Sequence, residues 1–140
     1  MSGKSELSKS LFLLVGGVAV LLFVVYLAFY RPAGKSEHSL PQVQEGGFES
    51  TVLKADKPVL VDFYADWCPP CRRMEPILIQ FARENQNVKV VQVNIDDSRA
   101  LADRYHISSI PHFMVFKTGD ITAQHSGMLD SSGLKALINE

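Results

Sequence analysis

The sequence predicts an α/β domain in which a mixed central β-sheet is flanked by helices, preceded by one N-terminal transmembrane helix. Three observations support this fold class. An unbroken apolar run occupies residues 11–30, strand-like and helix-like apolar patterns alternate from residue 48 onward, and both cysteines fall between one such strand and the next helix. The position of the cysteine pair indicates where the functional site lies.

Composition limits the chain to one globular domain and excludes nucleic-acid binding. The 140 residues leave about 100 for a compact domain once the N-terminal appendage is set aside. The 14 Lys and Arg residues nearly balance 15 Asp and Glu residues, and no polybasic block occurs. The 2 cysteines leave no second pair for a structural disulfide, so the cysteine count does not fix the redox compartment.

The apolar run at residues 11–30 has the length of a membrane-spanning helix and contains no charged residue. A buried core helix would show a polar stripe, and a cleaved signal peptide would end in small residues where this run has Phe29 and Tyr30. We therefore predict an uncleaved anchor after a short N-terminal segment at 1–10, with cleavage as the alternative. A slight positive bias before the span favours a cytoplasmic N-terminus and an extracytoplasmic domain, periplasmic in a Gram-negative bacterium.

A linker and a short helix precede the first long strand. Residues 31–47 are rich in Pro, Gly, Ser and charge, which predicts a tether that could include a first strand at 40–43. The globular domain is expected over residues 48–140, and it opens with helical spacing at 48–54. Residues 59–64 are apolar apart from one aspartate, which is typical of a central strand covered on both faces.

A strand-helix-strand crossover, a hairpin and a closing helix follow. Apolar spacing, capping residues and a Thr-Gly-Asp turn predict these elements: a helix at 72–85, a strand at 88–95, a helix capped by 96–98 and running to about 105, strands at 112–117 and 121–126 joined by a turn at 118–120, and a last helix around 134–138. The crossover pairs strands in parallel and the hairpin pairs them antiparallel, so the sheet is mixed.

The motif Cys68-Pro69-Pro70-Cys71 predicts thiol–disulfide chemistry. Cys68 stands at the start of the helix, where unpaired backbone N–H groups and the positive end of the helix dipole stabilise a thiolate. Cys68 is therefore the expected nucleophile. Cys71, further into the helix and more buried, is the expected resolving cysteine. Because neither proline has an N–H group, stabilisation of the sulfur is expected from the N–H groups of Cys71 and Arg72.

Several segments resemble the thioredoxin family in order and spacing. They are Val59-Leu-Val-Asp-Phe-Tyr-Ala-Asp-Trp-Cys-Pro-Pro-Cys71, Val93-Asn-Ile-Asp96, Ile107-Ser-Ser-Ile-Pro111 and Phe116-Lys-Thr-Gly119. The likeness covers residues 38–140 approximately and leaves out the apolar run. It implies the thioredoxin fold with a cis peptide bond before Pro111, and protein-disulfide oxidoreductase activity without a cofactor or metal.

The resemblance also implies roles for residues around the dithiol. Asp62 matches a buried acid that relays a proton to the resolving cysteine, although an aspartate at an exposed strand edge is the alternative. The lysine that accompanies this acid in many thioredoxins falls at Gln92, which would leave Asp62 without a cationic partner and raise its pKa. The residues expected at the substrate-docking surface are Trp67, Pro69, Pro70, Ile110, Pro111 and Gly127.

The predicted function is a membrane-tethered thiol–disulfide oxidoreductase, a monomer that reduces disulfides of exported or membrane proteins. Its expected partners are disulfide-bearing or dithiol proteins and, as redox partner, a membrane electron carrier. One alternative is a dithiol oxidant or isomerase of exported proteins. Another class is a metal-handling or non-catalytic assembly protein, although two thiolates fill only half of a tetrahedral metal site. The histidines at 106 and 125 show no ligand spacing, and His112 reads as a structural strand residue.

Overall fold

The computed structural model describes residues 17–26 and 40–140. The chain separates into two compact units, Met1–Glu37 and His38–Glu140. Every strand of the described residues lies in the second unit.

The prediction of a membrane anchor is corrected by the structure. Among the described residues, no helix combines the length and the apolar character that crossing a membrane requires. The predicted single-pass location with an extracytoplasmic domain is therefore wrong, and the membrane electron carrier inferred from it is not retained. The rest of the predicted span, together with residues 1–10 and 31–39, lies outside the described residues.

The second unit contains helices and strands in the order that the sequence predicts. From residue 45 onward the elements are α1 (Glu45–Phe48), a π-helical turn (Glu49–Leu53), β1 (Val59–Tyr64), α2 (Pro69–Glu84), β2 (Lys89–Asn94), α3 (Arg99–Arg104), β3 (His112–Lys117), β4 (Asp120–Ser126) and α4 (Ser131–Asn139). Strands β1 and β3 have the predicted bounds. Helix α2 begins at Pro69 with Cys68 as its N-cap, as expected, since proline fits the first turn of a helix, where its missing N–H is not needed.

The sheet is mixed, as expected, with the strand order β2-β1-β3-β4. Strand β1 pairs in parallel with β2 and antiparallel with β3, and β3 pairs antiparallel with β4. The parallel register places Asp62 opposite Gln92, and the hairpin register places His112 opposite Ser126. Gln42 forms a parallel bridge with Gln92, so the chain at residue 42 runs beside β2. These registers bring together the polar residues of the site.

Apolar side chains cover both faces of the sheet, so the fold has three layers. One core lies between the sheet and helices α2 and α4, and includes Leu60, Met74, Leu78, Phe81, Phe113 and Leu134. The other lies against α1, the π-helical turn and α3, and includes Phe48, Val52, Val61, Phe63, Val93, Leu101 and Phe116. Because β1 is covered on both faces, a charged residue within it is removed from water. That residue is Asp62.

Candidate active site

The cysteine pair lies where β1 passes into α2. The chain leaves the sheet after Tyr64, and Cys68 becomes the N-cap of α2 with extended backbone angles. Its backbone N–H donates to the carbonyl oxygen of Ala65 at 3.1 Å, which closes the turn between strand and helix. Cys68 and Cys71 are joined by a disulfide with an S–S distance of 2.05 Å. The cysteine pair therefore lies at the N-terminus of α2, directly after the carboxyl end of the central strand β1.

The N-terminus of α2 supplies one direct hydrogen bond to the Cys68 sulfur. The Cys71 N–H donates to Sγ of Cys68 at 3.2 Å, as expected. The Arg72 N–H, expected to do the same, donates at 3.2 Å to the carbonyl oxygen of Cys68 instead. Of the two predicted donors, only the Cys71 N–H therefore forms a hydrogen bond with the sulfur. The positive end of the helix dipole adds to the stabilisation of a thiolate there.

Burial does not distinguish the two cysteines in this oxidised state. The exposed fraction is 2% for Cys68 and 3% for Cys71, so the expectation that Cys71 is more buried is wrong. The difference between them is position: Cys68 is the N-cap, and Cys71 lies inside the first turn. Backbone N–H groups and the helix dipole act most strongly at the cap, so thiolate stabilisation favours Cys68.

Asp62 is a buried acid on β1. Its exposed fraction is 0%, which excludes the alternative of an aspartate at an exposed strand edge. Its Oδ2 accepts a hydrogen bond from Nε2 of Gln92 at 3.0 Å, and its Oδ1 has no hydrogen-bond partner among the described residues. Burial raises the pKa of Asp62 to about 7, opposed by the Gln92 hydrogen bond and assisted by the negative charge of Glu75. The carboxyl group can therefore gain and lose a proton near neutral pH.

A cleft of about 310 Å³ connects Cys71 with the polar residues around Asp62. Cys71, Gln92 and Glu75 all line it, so it reaches the resolving cysteine and the amide that holds Asp62. Tyr64 lines it as well, and its hydroxyl accepts a hydrogen bond from Nε2 of Gln42 at 2.8 Å. The cleft is large enough to hold water between Cys71 and this polar cluster.

The loop before β3 brings predicted docking residues to the cysteine pair. Ile110 packs against the cluster formed by Ala65, Cys68 and Cys71. The bond between Ile110 and Pro111 is cis, as the resemblance implied. Gly127 donates its N–H to the carbonyl oxygen of Pro111 at 2.8 Å. Of the predicted docking residues, Ile110 therefore contacts the cysteine pair, and Gly127 is joined to Pro111, the residue after Ile110, by a backbone hydrogen bond.

Trp67 lies on the surface beside the disulfide, with an exposed fraction of 63%. Its Nε1 donates to Oδ2 of Asp96 at 2.8 Å, so its ring is held although it is exposed. An indole exposed to this extent is not a core residue. Pro69 is exposed and Pro70 is half-buried, so both remain at the surface of the site.

Sequence reasoning missed two residues of the site, Asp96 and Glu75. Asp96 comes just after β2, whose carboxyl end adjoins that of β1 because the two strands are parallel. Its position at the end of the segment Val93-Asn-Ile-Asp96 could have indicated that it lies near the cysteine pair. Glu75 lies one turn after Cys71 on α2, and only the three-dimensional proximity to Gln92 identifies it.

The disulfide lies at the start of a helix and beside a cis-proline loop, and the strand that leads to it holds a buried acid. This combination defines a thiol–disulfide oxidoreductase. Residues 39–140 match the thioredoxin family, and the chain belongs to that family. It is 42% identical over 105 residues to the thioredoxin of Pseudomonas aeruginosa, a match that covers 74% of this chain and 96% of the relative. It is 40% identical over 103 residues to the thioredoxin of Porphyra purpurea, with 73% and 96% covered.

A third relative, the thioredoxin of Rickettsia bellii, is 41% identical over 98 residues, with 69% of this chain and 93% of the relative covered. The matched region and the site lie in the same unit of the chain. The chain is therefore a thioredoxin-type protein-disulfide oxidoreductase with Cys68 and Cys71 as its disulfide-forming pair.

Proposed function

We propose that this chain reduces disulfide bonds of partner proteins, with Cys68 as the nucleophile and Cys71 as the resolving cysteine. The observation that carries the proposal is the position of Cys68 as N-cap of α2, with the Cys71 N–H donating to its sulfur. In the reduced protein this arrangement favours the thiolate of Cys68 over that of Cys71. A thiolate is the form of cysteine that attacks a disulfide.

The proposed reaction has two exchange steps. The Cys68 thiolate attacks one sulfur of the partner disulfide, forming a mixed disulfide and releasing the other partner sulfur as a thiolate. Cys71 then loses its proton and attacks the Cys68 sulfur, which forms the Cys68–Cys71 bond, breaks the mixed disulfide and releases the second partner sulfur as a thiolate that is protonated afterwards. The partner gains two electrons and two protons overall, and the chain ends in the disulfide state of the structure. A dithiol reductant must return it to the reduced state.

Asp62 is proposed as the group that accepts the proton of Cys71. A general base works best when its pKa is close to the working pH, and the pKa of Asp62 is about 7. The cleft that Cys71 and Gln92 share offers a route through water between the thiol and the cluster around Asp62. The unpartnered Oδ1 of Asp62 is the atom available to receive the proton.

The partner is proposed to dock on Trp67, Ile110, Pro111 and Gly127, with Pro69 and Pro70 at the rim. The exposed indole and the apolar Ile110 offer contacts without charge selectivity, so many disulfide-bearing proteins fit this part of the surface. Since both cysteines belong to one chain, the redox pair is complete in a monomer, which is the state we propose.

Redox equilibrium with glutathione tests the direction of electron flow. The reduction potential of such dithiols ranges from about −270 mV for thioredoxin to about −120 mV for a strong oxidant. A reductant is expected near the lower limit, and a value near −120 mV would support an oxidant of partner proteins instead. The Pro70→Ala variant provides a comparison, because it restores one N–H group in the first turn of α2.

A further inference from the structure

Glu75 lies on α2 four residues after Cys71, and the proposed exchange steps give it no role. Residues four apart on a helix share a face, with about 5–6 Å between their Cβ atoms. Glu75 is half-buried and lines the cleft of about 310 Å³ together with Cys71 and Gln92. Its carboxylate therefore belongs to the cleft into which Cys71 is proposed to release its proton.

The position of Glu75 differs with respect to the two cysteines. Cys68 is seven residues away, and a helix rises about 1.5 Å per residue, so about 10 Å along the helix axis separates it from Glu75. Cys68 is also not among the residues described as lining the cleft. A negative charge disfavours a nearby thiolate, and the effect falls with distance. Glu75 therefore disfavours a thiolate at Cys71 more than at Cys68.

The same carboxylate acts on Asp62, the proposed proton acceptor. Gln92, which lines the cleft with Glu75, donates to Oδ2 of Asp62 at 3.0 Å. The negative charge of Glu75 favours the protonated form of Asp62, in the same direction as burial. Cys71 thus ionises less readily on its own, while the group that accepts its proton binds that proton more strongly.

The other titratable side chains of the cleft do not duplicate this role. Burial raises the pKa of Tyr64, so its hydroxyl stays neutral near pH 7. Asp66 is exposed, and the guanidinium of Arg72, also exposed, donates to its backbone carbonyl oxygen at 2.7 Å. The carboxylate whose charge raises the pKa of Asp62 is that of Glu75. The remaining lining residues, apart from Cys71, are uncharged.

We propose that Glu75 is a positioning residue of the exchange reaction, which keeps the proton on Cys71 in the reduced chain and directs it to Asp62 in the resolving step. The proposal rests on the proposed function and deepens it. In the resolving step the S–H bond of Cys71 breaks, and its proton passes through water to Oδ1 of Asp62. The electron pair left on sulfur forms the bond with Cys68, and the partner sulfur leaves as a thiolate. Glu75 itself neither gains nor loses a proton.

Thiolate absorbance of the reduced full chain tests the effect on each cysteine without any partner. Cys68→Ser leaves Cys71 to titrate, and Cys71→Ser leaves Cys68. Adding Glu75→Gln should lower the titration midpoint of Cys71 by about 0.5 pH unit, as a partly screened like charge predicts, and that of Cys68 by less than half as much. Glu75→Asp, which keeps the charge, should restore most of the Cys71 midpoint. Glu84→Gln, exposed on the same helix and outside the described lining of the cleft, should move neither midpoint.

An unchanged Cys71 midpoint in Glu75→Gln, or equal shifts at the two cysteines, would overturn the proposal. A second measurement follows the resolving step itself. The reduced chain is mixed with an aromatic disulfide, so that the first coloured thiol released reports attack by Cys68 and the second reports attack by Cys71. The pH midpoint of the second release should fall by about 0.5 pH unit in Glu75→Gln, and an unchanged midpoint contradicts the proposal.

The two measurements separate this proposal from the proposed function. If the unmodified chain releases only the first thiol, Cys71 does not resolve the mixed disulfide and the proposed function fails. The thiolate titrations then still decide whether Glu75 distinguishes the two cysteines.

Discussion

Replacing the buried acid Asp62 by Asn should stabilise the protein in a pH-dependent way. The pKa of Asp62 rises from 3.8 to about 7 on folding because burial disfavours the charged carboxylate. Each pKa unit corresponds to about 1.36 kcal/mol, so ionised Asp62 destabilises the folded state by about 4 kcal/mol. Asn has nearly the same shape and does not ionise. The variant therefore removes this destabilising contribution at neutral pH and above.

The sign of the effect follows from proton binding. Between pH 3.8 and about 7 the folded chain holds the Asp62 proton and the unfolded chain does not, so stability falls as pH rises through this window. Above pH 7 both states have lost the proton and the effect is constant. We expect Asp62→Asn to gain about 1 kcal/mol at pH 4.5 and about 4 kcal/mol at pH 8, relative to the unmodified chain.

Urea unfolding of both oxidised proteins across this pH range measures the difference. The new amide group changes the hydrogen bond with Gln92, which shifts the stability by a similar amount at every pH, so the growth of the gain with pH is the quantity to compare. Asp103→Asn, an exposed change on α3, is the control and should show no growth. A gain that is the same at pH 4.5 and pH 8 would refute a raised pKa at Asp62.

Three further predictions follow from the site. Gln92→Lys places a cation beside Asp62 and should lower its pKa below about 7, and an unchanged carboxyl titration by NMR would contradict this. Gly127→Ala should destabilise the protein by about 1–2 kcal/mol in urea because φ is 99° there, whereas Gly46→Ala, at a helical position with open space, should lose nothing. Trp67→Ala should lower kcat/KM for protein disulfides more than tenfold and change the free energy of unfolding by less than about 1 kcal/mol, since the indole is exposed. A large loss of stability would show that Trp67 is a structural residue.

The order of the elements could be predicted because apolar spacing determines it. β1 and β3 are buried over most of their length, so their apolar runs give the bounds directly. Asp62 stood out for the same reason, since a single carboxylate interrupts a run that is otherwise apolar. The start of α2 at the cysteine motif could be predicted as well, because proline is favoured in the first turn of a helix.

Other features depend on contacts between distant segments, which no local pattern reveals. The hydrogen bond between Trp67 and Asp96 joins residues that are 29 positions apart. A cleft of about 550 Å³ combines the end of α3 with both strands of the hairpin, which are separate segments of the sequence. The prediction of a membrane span rested on the apolar run at 11–30, and among the described residues no helix is long and apolar enough to cross a membrane.

The central claim is that Cys68 attacks the partner disulfide and Cys71 resolves the intermediate. The most direct measurement is the yield of mixed disulfide between the reduced full chain and a disulfide-bearing protein, located by mass spectrometry of peptides. We expect a stable adduct on Cys68 in Cys71→Ser and little or no adduct in Cys68→Ser. Equal yields from the two variants, or an adduct that forms only on Cys71, would contradict it.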